Sequence, residues 1–171
     1  MVRDVSSVTQ ATSMKAGKVE PNIDTGALLA GAQFCDAYSI AVDDAALDAR
    51  HAAERMLGRS PRWIEALLAL RNGLVKPFGL KTSLPSEIAP ANAIGLFPIL
   101  SETPDRLVAG FNDKHLDFRV VIDVTACGQG RRVTATTLVL THNLPGRVYL
   151  ATILPFHRLV VRAMLRQVAA A

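Results

Sequence analysis

Leu144-Pro-Gly-Arg-Val-Tyr-Leu-Ala-Thr-Ile-Leu-Pro-Phe-His-Arg-Leu-Val-Val-Arg-Ala-Met-Leu-Arg166 decides the fold, because it reads as one long amphipathic helix placed after a run of strands. Advancing about 100° per residue puts Tyr149, Ile153, Phe156, Val160 and Met164 on one side, with Leu150, Leu154, Val161 and Leu165 beside them. Arg158, Arg162 and Arg166 fall on the other. A helix with one wide apolar arc must bury it, and the strands just upstream are the nearest surface to bury it against. Phe156 is therefore expected in the core.

The strands are read from a change of period. Ile94 to Ser101, Arg106 to Phe111, Leu116 to Ala126 and Arg131 to His142 are extended stretches joined by short turns, so neighbours should be antiparallel. In the third, Leu116, Phe118, Val120, Ile122, Val124 and Ala126 alternate with His115, Asp117, Arg119, Val121, Asp123 and Thr125, giving one apolar face and one half-wet face. An earlier strand, from about Gln33 to Val42, ends at Asp43-Asp44, either of which can cap a helix running to about Leu57, with Gly58 following it. Ser60-Pro61 then opens a second helix to about Lys76, which Pro77 stops. Lys81 to Ala93 reads as a loop, long enough to serve as a flap.

With 171 residues and 50% hydrophobic content, the chain suits a single domain of about residues 23–171, preceded by a polar leader, 1–22, that docks late or stays mobile. The formal charge of +4 is modest. It falls well short of a dedicated nucleic-acid binder, and no nucleic-acid partner is expected. Cys35 and Cys127 lack metal or redox spacing, so free thiols and a reducing, cytoplasmic setting follow. No charge-free apolar run reaches bilayer length, hence no transmembrane segment is expected. A homodimer is compatible with the sequence.

Several side chains could carry chemistry. Arg71 lands on the apolar side of the second helix, near Trp63. Its guanidinium must pair with a carboxylate (Asp117, Asp123 or Glu102), reach solvent along its stem, or meet an anionic ligand. His115, Asp117 and Arg119 form the densest polar set, yet side chains two apart on a strand are roughly 7 Å apart, which is too far for a direct proton relay. A solvated cross-strand charge ladder accounts for them. His142 ends a strand alone. His157 falls near Ile153, Val161 and Met164 on the buried side of the last helix, as a core histidine bonded to backbone or as a polar group in a cavity. Pro155 could kink that helix or restart it.

Pro61-Arg-Trp-Ile-Glu-Ala-Leu-Leu-Ala-Leu-Arg71-Asn72, Lys76-Pro-Phe-Gly-Leu-Lys81, Phe97-Pro-Ile-Leu-Ser-Glu102, His115-Leu-Asp-Phe-Arg119 and Leu154-Pro-Phe-His-Arg158 together resemble the bacterial domain-of-unknown-function family DUF2867. The resemblance runs from about Gln33 to the C-terminus. Members occur alone or behind NAD(P)-binding Rossmann domains. It implies an α+β, START-like helix-grip fold, in which a curved antiparallel sheet wraps a long C-terminal helix, with two shorter helices after the first strand. Five strands are read here where that superfamily has six or seven, so one should lie in the leader or the loop. The family supplies no catalytic residue.

Two function classes remain. One is a binder of an apolar or amphipathic small molecule held between sheet and last helix, with Arg71, Trp63, Tyr149, His157, His115, Asp117 and Arg119 as candidate contacts. The other is an enzyme of cyclase or hydrolase type using the same cavity, or an accessory domain acting with an NAD(P)-binding partner. No cofactor and no metal is expected, since the sequence has no phosphate loop, nucleophile elbow, Rossmann fingerprint or metal-ligand spacing.

Overall fold

The computed structural model describes residues 15–58, 92–95 and 97–170. The second helix with Arg71 and Trp63, and all but the end of the Lys81–Ala93 loop, lie outside the described residues.

The chain forms a curved, seven-stranded antiparallel sheet with a long C-terminal helix, a helix-grip architecture of the α+β class. Strands β1 (Gly17–Val19), β2 (Phe34–Val42), β3 (Ala93–Ile94), β4 (Phe97–Glu102), β5 (Arg106–Asn112), β6 (Leu116–Cys127) and β7 (Gly130–Thr141) are ordered β1-β2-β7-β6-β5-β4-β3. Helices α1 (Thr25–Leu29), α2 (Ala49–Leu57) and α3 (Leu144–Ala169) complete the described elements. The β3–β7 meander follows from its short turns. At the two-residue turn between β6 and β7, Cys127 pairs with Gly130. Gly128 there has φ of 60° while Gln129 is not at positive φ, the pattern of a II′ hairpin turn whose twist matches the strands.

Two strands exceed the five read from sequence: β1, which lies in the stretch read as a leader, and the two-residue β3, because Ile94 to Ser101, read as one strand, is divided between β3 and β4, which pair antiparallel. β1 joins the sheet through Gly17 opposite Ser39 and Val19 opposite Ala37, and Ala16 beside it is fully buried.

The inner face of the sheet carries the core. Tyr38, Ile40 and Val42 of β2, Val120, Ile122 and Val124 of β6, and Val133 and Ala135 of β7 pack against Ala49, Ala52, Ala53 and Met56 of α2 and Val161, Leu165 and Val168 of α3. The alanines of α2 let it approach closely. Its N-cap is Asp48, whose carboxylate accepts from the His51 N–H at 2.8 Å, not Asp43 or Asp44. Asp44 instead accepts from the Ala46 N–H and pairs with Arg55 at 3.0 Å. Arg50 grips Glu102 through Nε at 2.8 Å and Nη2 at 2.6 Å, tying α2 to β4.

α3 is a single helix of 26 residues. Pro155 neither breaks nor restarts it. The proline removes the donor that the Ala151 carbonyl would receive, and both residues face solvent, where water can replace the bond. The buried seam differs from the central arc expected. Val161, Leu165 and Val168 are buried, whereas Phe156 is 48% exposed. The seam thus follows the flanking set, roughly a quarter turn away. Arg147 is the only charged residue before Arg158 in this helix, so the first half has too little polar surface for its pattern to fix which side turns inward. Truncating Phe156 removes surface contacts worth under about 1 kcal/mol rather than a core anchor.

Candidate functional site

The strand registers arrange the inner face in transverse rows. Phe111 lies opposite Phe118, Phe118 opposite Val139, and Val139 opposite Phe34. The Phe118 ring sits 5.7 Å from that of Phe111 and 5.2 Å from that of Phe97, centroid to centroid. All three rings are half-buried and lie within 30° of parallel. At the other end of the row, the His157 ring of α3 meets Phe34 edge-on at 5.5 Å.

The next row inward holds Ala109, Val120, Thr137 and Asp36, each opposite the one before. Asp36 is the one acid on the β2 inner face, which otherwise reads Phe34, Tyr38, Ile40 and Val42. Its carboxylate is held by His157 Nε2 at 3.0 Å, with the two side chains only 10% and 15% exposed. Tyr38, two residues on along the same strand face, lies near enough for the Asp36 charge to act on its phenol. Burial, and then the Asp36 charge, push the Tyr38 phenol above its ordinary value, while Arg158 and Arg162 pull it back in part. Burial followed by Asp36 also raises the Cys35 thiol. A carboxylate in such a setting needs a hydrogen-bond partner, and here the His157 imidazole supplies it. The result is an Asp–His–Tyr cluster against an apolar sheet, able to donate or accept hydrogen bonds and to move a proton at the imidazole.

The other expected site residues are dispersed. His115 is 8% exposed and its Nδ1 lies 3.1 Å from Asn143 Oδ1, the side chain that caps α3 by accepting from the Gly146 N–H. It secures the start of the helix. A Cβ at Gly146 would run into the His115 carbonyl, so glycine is required there. Asp117 and Arg119 point to the opposite face of the sheet from Asp36. Asp117 pairs with His142 at 3.0 Å, and Arg119 donates to the carbonyls of Phe111 and Phe118 at 3.1 and 2.9 Å. Of the three residues expected to form a solvated charge ladder, Asp117 makes a cross-strand ion-pair contact, with His142, while the directly opposed Arg106–Asp123 pair supplies another on the same sheet. Asp117, Asp123 and Glu102, the partners considered for Arg71, each hold another side chain: His142, Arg106 and Arg50. Tyr149 is half-buried in the second turn of α3. Of the described residues named from sequence as site candidates, only His157 belongs to the cluster. Asp36 and Tyr38 were missed, although strict alternation from Phe34 to Val42 places both on the inward face.

Among the described residues no group of three or more His, Cys, Asp or Glu is placed to hold a metal ion. Cys35 and Cys127 are free and partly buried.

No curated protein matches the chain. Among solved structures, it is similar to protein Ms6760 from Mycobacterium smegmatis, at 14% identity and a TM-score of 0.39, over 90% of this chain and 96% of that one. It is also similar to CalU16 from Micromonospora echinospora, at 12% identity and a TM-score of 0.31, over 80% and 81%. The family model for proteins of unknown function DUF2867 matches residues 28–164, which take in β2, α2, the meander and most of α3. The chain belongs to that family.

Proposed function

We propose that this domain binds an apolar or amphipathic small molecule between the inner sheet face and α3, with Asp36, His157 and Tyr38 fixing its polar end. The observation that carries the reading is the position of Asp36, a buried carboxylate in an otherwise apolar strand face beside half-buried rings. Ligand sites combine mostly apolar lining with a few convergent polar groups. Ala109, Val120 and Thr137 are small beside the phenylalanine row on one side and Leu107 and Ile122 on the other. A molecule whose polar end reaches Asp36 would lie along this row.

The test has two parts. Native mass spectrometry of protein purified from its own host should show a small molecule retained at one per chain. Titration with the neutral fluorophore N-phenylnaphthylamine should saturate, and Thr137→Leu, folded by circular dichroism, should lose that binding. No retained molecule together with unsaturable fluorescence would remove the reading.

The 3.0 Å contact between Asp36 and His157 favours a second reading, in which the imidazole acts as an acid or base on the bound molecule. A carboxylate that orients an imidazole is a common arrangement for proton transfer. Under it, His157→Gln, purified from the same host, should retain a molecule of different mass from the one on the wild type. Equal masses would leave simple binding.

A further inference from the structure

We infer that the solvent side of α3 lies on the surface of an anionic lipid bilayer. Leu144, Val148, Phe156 and Leu159 are 71, 54, 48 and 53% exposed. On the helical wheel Leu144, Val148, Ala151, Thr152, Pro155 and Leu159 fall within about 100°, with Phe156 at the margin and the Thr152 hydroxyl turned back onto the Val148 carbonyl at 2.8 Å, and the stripe runs roughly 22 Å along the axis. Isolated exposed apolar residues are ordinary, but a continuous stripe of this length marks an interaction surface.

The occupant is selected by charge. α3 carries four arginines, Arg147, Arg158, Arg162 and Arg166, and no aspartate or glutamate in its 26 residues. Arg147 and Arg158 are exposed along one flank of the stripe, and exposed Arg166 continues its line beyond Leu159. Lys114 is exposed near the start of the helix, where its carbonyl accepts from Asn143 Nδ2 at 2.9 Å. Arg162 is engaged by the fold, its Nε donating to the Ala16 carbonyl at 3.0 Å. Two copies pairing through this stripe would set arginines against arginines with no carboxylate on either helix to offset them. A bilayer with acidic headgroups supplies an apolar layer for the stripe and phosphates within reach of arginine stems at its border. α3 is long and apolar enough to cross a membrane by length and composition alone. Its other side holds Val161, Leu165 and Val168 in the core, so the helix lies on the bilayer instead of spanning it.

The experiment is flotation of the full chain with vesicles of phosphatidylglycerol and phosphatidylcholine, beside vesicles of phosphatidylcholine alone. The chain should float with the anionic vesicles at low salt and release as salt rises. Phe156→Ser/Leu159→Ser should bind about tenfold more weakly or worse, with the melting temperature unchanged. Arg147→Gln/Arg158→Gln should weaken binding and flatten its salt dependence. Failure to float with anionic vesicles, or binding unaffected by the serine pair, overturns the inference. So does a dimer in light scattering that the serine pair dissociates, which would make a second copy the occupant. A core-sized drop in melting temperature in the serine pair also overturns it, because the stripe would then be covered within the folded chain.

Discussion

Asp36 is tolerated on the inner face because the His157 imidazole holds its carboxylate, and that dependence can be measured. His157→Leu takes that partner away from the buried carboxylate and should cost about 2 to 4 kcal/mol in denaturant melts. Asp36→Leu/His157→Leu removes both polar partners and should recover much of that loss, the non-additivity expected of groups in direct contact. An additive double mutant would mean that the 3.0 Å contact contributes no coupling. Tyr38 gives the same cluster a signature in alkali. Its folded value lies above the ordinary 10.0, so the folded chain holds the phenolic proton more tightly than the unfolded chain. That contribution is fully present below the unfolded value and is lost as pH rises through the folded one. The melting temperature of the wild type should therefore fall more steeply above pH 10.0 than that of Tyr38→Phe, and parallel slopes would contradict the assignment. At this scale the sequence was legible for His157, whose helical phase pointed inward whichever arc was taken as the seam. Asp36 was equally legible by period-two alternation. The polar density of His115, Asp117 and Arg119 is the stronger sequence signal but not a functional one, since density on a strand's wet face is what solvent alone produces.

Among the elements, α3 owes its starting point to one side chain. Asn143 accepts from the Gly146 N–H at 3.1 Å, lies 3.1 Å from His115 Nδ1 and donates to the Lys114 carbonyl at 2.9 Å, joining helix, β5–β6 turn and β7 end. Asn143→Ala removes all three and should cost about 2 kcal/mol, the upper end for a helix cap. Asp48→Ala, which loses an exposed cap on α2, should cost about 1 kcal/mol. Equal losses in the two variants would show that the His115 contact adds nothing. Strand existence and the length of α3 followed from periodicity, since alternation along β6 and the short turns admit few alternatives. The facing of α3 did not follow. An apolar helix with little charge in its first half carries no instruction about which side turns inward, and the contacts made by β2, β7 and α2 decide it. The cap of α2 was misplaced for a related reason. Asp43, Asp44 and Asp48 are all competent caps, and only the path of the chain after β2 selects Asp48.

For the molecule as a whole, the sheet is held at one side by residues whose composition resembles a tail. β2 would be an edge strand without β1, and Phe34 to Val42 is long and apolar, the kind of edge that recruits a second chain. β1 pairs with residues Ala37 to Ser39, the middle of that edge, while Ala16 inserts into the core and its carbonyl takes the Arg162 Nε–H. The sequence hides this because a three-residue strand of Gly, Lys and Val has no period to detect. What specifies it is the partner's unpaired edge, a property of the assembled sheet and not of the segment. A chain starting at Pro21 differs from one starting at Lys15 by this strand and its buried alanine. The shorter chain should unfold at a lower denaturant midpoint, and it should scatter light increasingly with protein concentration as β2 edges pair between molecules. The longer chain should remain clear under the same conditions. If both remain clear and unfold together, the β2 edge is protected by something other than β1, and the pairing of Gly17 to Val19 contributes little to the stability of the fold.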